Sequence, residues 1–240
     1  MPRPLARSRP PETRFVILFP GRTGSSFLAS CLESHPEAIA EGERLVRQSA
    51  DWQRTWIDDL YRTPRKPPVR AVGFKTKLKD LADREDFARL LDVHAVRIVT
   101  MARRNLVKLA VSTLNARRIH AATGRWNNVA DAPTLGPLEA GAEEIAAMVD
   151  RCERDQREVL AFAESLARPT LHLDYEDLLV DRDAWLRRAT DFLEVSPLPL
   201  ASTVGKATDD DLRAALARYD EVRDHFAATE RAVDFSDPVG

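Results

Sequence analysis

The chain has 240 residues, 44% of them hydrophobic and 31% charged, enough for one α/β domain with a packed core and a solvated surface. Its 36 Lys and Arg against 38 Asp and Glu leave a formal net charge of −2. That argues against a general nucleic-acid binder but leaves room for a local basic pocket for a small anion.

Residues 1–13 are basic and proline-rich without the apolar core of a signal peptide, and are expected to form a disordered leader. Residues 15–19 (FVILF) are a continuous apolar run suited to a strand buried on both faces. Pro20-Gly21 breaks it. A helix pattern begins near Ser25, with Phe27, Leu28, Cys31 and Leu32 on one face, and stops near His35-Pro36. Residues 38–40 are a weak second strand, 51–61 a helix, and 62–70 a loop interrupted by three prolines. A third strand is expected over 71–74, a helix over 80–92, a fourth strand over 96–101, and a helix from 106 to about 118. Residues 138–167 form a long helical pattern and 170–173 the last strand. Helices near 182–194 and 209–229 finish the chain, the last with Thr208 as N-cap and a stripe of Leu212, Leu216, Tyr219, Val222 and Phe226. Strands alternating with helices imply right-handed crossovers. The expected fold is therefore a three-layer α/β domain over residues 14–230, with a central parallel sheet of about five strands flanked by helices. Residues 231–240 are expected to be a loose tail. No apolar run reaches the length of a bilayer span, so no stable membrane insertion is expected. The two cysteines, Cys31 and Cys152, read as packed thiols of a reduced, cytoplasmic protein.

Two segments carry anion-binding chemistry. Residues 19–28 (FPGRTGSSFL) join the first strand to the first helix. In an open parallel sheet this is the ligand edge, where helix N-termini offer unpaired N–H groups and the positive end of the dipole. Gly21 and Gly24 let the backbone approach an oxyanion, Thr23, Ser25 and Ser26 add hydroxyls, and Arg22 adds a fixed charge. The loop lacks the lysine before Ser/Thr of the G-x-x-x-x-G-K-[ST] pattern, which disfavours an ATPase or kinase. The second segment, 98–112 (IVTMARRNLVKLAVS), runs from the fourth strand into a helix with Asn105 as N-cap. Ser112 lies about two turns beyond Asn105. Arg104 at the strand end and Ser112 on the helix are thus expected to face one phosphate, Arg104 through its planar fork.

The first loop, Arg22-Thr23-Gly24-Ser25-Ser26-Phe27-Leu28, resembles the 5′-phosphosulfate loop of sulfotransferases, closest to the carbohydrate and bacterial branches. Arg104 and Ser112 match that family's 3′-phosphate pair, and Ser34-His35-Pro36 and Gly42-Glu43 are also similar. The resemblance implies a P-loop-like fold and sulfuryl transfer from 3′-phosphoadenosine 5′-phosphosulfate (PAPS), without a metal, to a hydroxyl or amine of a small-molecule or carbohydrate acceptor. It gives Tyr175 a place near the adenine, a core tyrosine being the alternative. The Arg-Lys-Gly hallmark of the phenol and steroid branch is absent near the C-terminus, and Lys206 is either its replacement or an ordinary surface lysine. In-line displacement needs a base on the acceptor side. Glu43 is the first candidate, Glu41 the second and His35 the third, while Arg22 follows the charge on the leaving phosphate. Lys75 and Lys77 follow the third strand at the ligand edge of the sheet; solvent is the expected place for each, with a reach into the pocket by one of them as the alternative. Trp126, in the Gly124–Asn127 loop, offers a stacking face to the acceptor or fills the core. The five histidines lack metal-ligand spacing. A kinase or nucleotide-binding protein without sulfuryl transfer is the alternative function, and nothing in the sequence fixes an oligomeric state.

Overall fold

A computed structural model describes residues 8–124, 126, 135–202 and 211–235. Five strands, β1 (Thr13–Leu18), β2 (Ala38–Glu41), β3 (Ala71–Thr76), β4 (Arg97–Ala102) and β5 (Thr170–Asp174), form one parallel sheet in the order β2-β3-β1-β4-β5. The helices α1 (Ser25–Glu33), α2 (Ala50–Arg62), α3 (Arg84–Val93), α4 (Leu106–Thr123) and α5 (Ala142–Ser165) alternate with the first strands. After β5 come α6 (Tyr175–Val180), α7 (Arg182–Phe192), α8 (Leu212–Ala215) and α9 (Tyr219–Phe226). The expected three-layer α/β architecture is present.

β1 shows why the sheet needs both outer layers. Its side chains alternate, so Phe15 and Ile17 join Leu28, Leu32, Trp185 and Leu186 of α1 and α7 on one face. Val16 and Leu18 join Ile57, Leu91 and Val159 of α2, α3 and α5 on the other. All four β1 residues are completely buried, which is why this segment reads as an unbroken apolar run. A third cluster joins α4 and α5 to Leu212, Leu216, Val222 and Phe226. Cys31 and Cys152 are free, buried thiols. No described helix is long and apolar enough to cross a membrane.

The strand order places the functional edge. The chain leaves β1 towards β2, returns through β3, and crosses to β4 on the other side of β1. The crevice above the carboxyl end of β1 is the switch point of the sheet, where α/β proteins bind ligands.

Several expected boundaries move. β3 runs to Thr76 rather than 74, which carries Lys75 into the sheet. The helix expected over 209–229 is broken into α8 and α9. Leu138 accepts from Ala217 N–H and donates its own to Ala215, and this isolated bridge stops the helix at Leu216. Asp211 caps α8 through the N–H of Arg213; Thr208 and Lys206 lie outside the described residues. At the start, Arg9 pairs with Arg65 across an antiparallel bridge. At the end, a 3-10 turn (Glu230–Phe235) buries the Asp234 carboxylate against the N-terminus of α4, where it accepts from Val107 N–H at 3.2 Å.

Candidate active site

The loop after β1 is built to receive an anion. Gly21 (φ 132°), Arg22 (φ 56°) and Gly24 (φ 82°) all have positive φ, a conformation easy for glycine and costly for an arginine. Side chains of Ser49, Asp83, Asn105 and Asp181 cap α2, α3, α4 and α7, whereas α1 begins on Gly24 with no side-chain cap. Its first N–H groups therefore keep their bonding capacity for a ligand. The Thr23 hydroxyl is completely buried and has no hydrogen-bond partner among the described residues. An orphaned buried donor costs stability, and a phosphate or sulfuryl oxygen at this loop would satisfy it. Ser25 is buried. Phe27 packs on Trp185 at 6.4 Å and beneath Arg182, so its ring serves the core and only its backbone is left to the loop.

Cations surround the loop. Arg22 Nε donates to Ser112 Oγ at 3.2 Å, and Nη1 to the Trp126 carbonyl at 3.5 Å. Burial and the nearby Arg103 guanidinium lower the Arg22 pKa. Arg103 lies over the Tyr175 ring at 4.4 Å. That ring closes on Gly24 so tightly that a Cβ there would meet it at 3.1 Å. Tyr175 thus stands against the donor loop itself. Trp126 is 55% exposed and stacks on His120 at 4.1 Å, so it does not fill the core.

Lys75 and Lys77 are where sequence reasoning missed most. Both were expected in solvent, yet their side chains are only 9% and 19% exposed. Lys75 Nζ donates to Ser26 Oγ at 2.7 Å and to Glu43 Oε1 at 3.0 Å. Lys77 Nζ pairs with the other carboxylate oxygen, Glu43 Oε2. Both ammoniums lie near the Phe19 ring, at 5.1 and 4.7 Å. Burial pulls both down to about 8, helped by Arg22, while Asp80 raises Lys77. The physical reason for the error is β3's two extra residues, which carry Lys75 under α1, where its ammonium bonds Ser26 and Glu43. The available signal was an alternation, Phe74-Lys75-Thr76-Lys77, continuing a strand at the ligand edge.

The carboxylate candidates separate. Glu43 faces the donor loop through Lys75. Glu41 is held by Arg44 at 3.1 Å. Both line a cleft of about 500 Å3 with Glu33, Arg44 and the outer edge of β2. His35 is 2% exposed; its Nδ1 accepts from Glu37 N–H at 3.0 Å and its Nε2 meets the Ser196 carbonyl at 2.8 Å. Both nitrogens are engaged in holding the turn after α1, which removes His35 as a base.

The second anion segment is divided in this structure. Asn105 caps α4 as expected, accepting from Lys108 N–H at 2.8 Å. Ser112 meets Arg22, whereas Arg104 is turned to Asp174 (2.7 Å) and Asp177 (2.9 Å). Glu176 accepts from the N–H groups of Arg104 and Asn105 at 2.9 and 3.1 Å. A carboxylate thus sits where the helix start would take a phosphate. Among the described residues no three His, Cys, Asp or Glu side chains gather to hold a metal ion.

No family model matches the chain. Nodulation protein H of Rhizobium tropici is 25% identical over 93% of each chain. Nodulation protein H of Rhizobium meliloti strain 1021 is 26% identical over 93% of this chain and 95% of its own. The sulfotransferase domain from the curacin biosynthetic pathway superposes with a TM-score of 0.51 at 15% identity, covering 87% of this chain and 84% of that one. Mouse sulfotransferase SULT7A1, solved with PAP, gives a TM-score of 0.48 at 15% identity; 81% of this chain is covered, spanning 62% of the mouse chain. The chain thus has the fold of the curacin-pathway sulfotransferase domain and is similar in sequence, over nearly its whole length, to nodulation protein H.

Proposed function

We propose that the chain moves the sulfuryl group of PAPS to a hydroxyl or amine of a small-molecule or carbohydrate acceptor, with Glu43 as the base. The observation that carries this reading is Lys75, whose ammonium joins Ser26 of the donor loop to the Glu43 carboxylate. The base thereby stands one side chain from the reacting group. PAPS supplies the sulfuryl group and a phosphate that leaves. The first turn of α1, Thr23, Ser25, Ser26, Arg22 and Lys75 would hold the phosphosulfate. Ser112 and Arg104 would hold the 3′-phosphate, and Tyr175 would border the adenosine.

An arriving phosphosulfate competes with Glu43 for the two ammoniums. As they turn to the donor, the carboxylate is freed towards the cleft beside β2, where the acceptor binds. Glu43 takes the acceptor's proton as its oxygen or nitrogen bonds to sulfur. The S–O bond to phosphate breaks with its electron pair going to the phosphate, whose growing charge Arg22 and Lys75 meet in a site already organised for it. Two free, buried thiols support a cytoplasmic location.

The test uses sulfur-labelled PAPS with a host metabolite extract, followed by isolation of the labelled acceptor. Glu43→Gln should lower turnover on that acceptor by about 10²–10⁴-fold and leave PAP bound at least as tightly as in the wild type, since the carboxylate no longer competes for the lysines. Wild-type turnover in Glu43→Gln with an inactive Glu41→Gln would move the base two residues along. Full activity in both would end the carboxylate mechanism.

A further inference from the structure

The Glu43–Lys77 pair is made by two loops that leave different strands. One follows β2 and carries Glu43; the other follows β3 and starts at Lys77. Among the described residues no backbone hydrogen bond joins segment 42–49 to segment 77–82. Their relative position has another source. Gln53, in the first turn of α2, is 5% exposed and reaches between them. Its Nε2 donates to the Leu45 carbonyl and to the Asp80 carbonyl, both at 2.8 Å. Its Oε1 accepts from Ala82 N–H at 3.1 Å. The Gln48 carbonyl lies at 3.4 Å from the same nitrogen.

This set of partners fixes the amide's orientation, since two carbonyls need the NH₂ and one N–H needs the oxygen. Every strong bonding capacity of the side chain is spent on loop backbone. Leu45 is two residues from Glu43, and Asp80 is three from Lys77. α2 anchors the brace in turn: its Ser49 cap accepts from Trp52 N–H, and Ile57, Leu60 and Tyr61 bury it against the sheet.

We propose that Gln53 is a positioning residue of the reaction: it locks the Glu43 loop to the Lys77 turn and so sets the Glu43 carboxylate against its two lysines. The inference rests on Glu43 being the base. Gln53 acts on rate through Glu43 far more than on donor binding, because none of its bonds reaches the loop after β1 or the start of α4 and it meets the donor side through the Lys77 turn alone.

The test pairs Gln53→Met, which keeps the length and removes every hydrogen bond, with Gln53→Glu, which keeps the acceptor and loses the donors. Each is measured for PAP affinity by calorimetry and for kcat and KM with labelled PAPS and the purified acceptor. Both variants should lose about 10–100-fold in kcat, the order expected of a misplacement near 1 Å, while PAP affinity changes less than about twofold. In the Glu43→Gln background, Gln53→Met should cost no further kcat, since residues acting through one group are not additive. Unchanged kcat in both variants would overturn the proposal, as would parallel loss of PAP binding, which would make Gln53 a folding residue. Additive losses in the double variant would detach Gln53 from Glu43. Failure of the base assignment shows separately, as wild-type turnover in Glu43→Gln alone.

Discussion

Replacing Lys75 by methionine should separate binding from stability in opposite directions. The Lys75 ammonium is 9% exposed and lies beside Lys77 and Arg22, with Glu43 shared between the two lysines. Burial lowers its pKa from 10.5 to about 8, which at about 1.4 kcal/mol per unit amounts to a cost of about 3 kcal/mol for holding the charge in the free protein. Lys75→Met removes that cost, and Glu43 keeps Lys77 as its partner. The free protein should therefore melt at the wild-type temperature or above it. The ligand loses a charge-assisted bond worth about 1.5–3 kcal/mol, so PAP should bind roughly 10–100-fold more weakly. The assays are calorimetric titration with PAP and thermal melting without ligand. A variant that melts several degrees lower yet binds PAP as tightly as the wild type would refute the reasoning, for Lys75 would then be a structural partner of Glu43 alone.

Because Lys75 and Lys77 both titrate near 8, PAP affinity should be flat below that pH. It should then fall as pH rises through 8, by up to about tenfold per unit for each lysine that meets a phosphate. The stability of the free protein should move the other way, since between about 8 and 10.4 the unfolded chain holds more protons on these lysines than the folded one. Affinity independent of pH from about 7 to 9.5 would remove both lysines from the donor site. At the other end of the nucleotide, Asp174 and Asp177 hold Arg104. Asp177→Asn should therefore strengthen the preference for PAP over 5′-AMP, and Arg104→Ala should weaken it by about tenfold or more. An unchanged ratio in both variants would assign the 3′-phosphate to other residues.

The local signals in the sequence were periodicities and punctuation, and these carried the architecture. An unbroken apolar run marked β1 because both its faces are covered. Gly21 and Gly24 marked the loop because its backbone turns through positive φ. Asn105 marked the start of α4 because a helix needs a side chain to take its first N–H groups. The site itself was legible only in halves. Glu43, Ser26 and Lys75 come from three segments, and Lys75 is 49 residues from Ser26 and 32 from Glu43. They meet because the sheet order β2-β3-β1 sets the carboxyl ends of those three strands side by side, and nothing local encodes that order. The same holds for His35, which the Ser196 carbonyl, 161 residues away, turns from a candidate base into a brace. It holds for Arg104, whose carboxylate partners arrive with β5 and α6. A lysine at the end of a strand is solvated by default, and only the packing of α1 over β3 turned Lys75 inward, where its charge is costly enough to be useful.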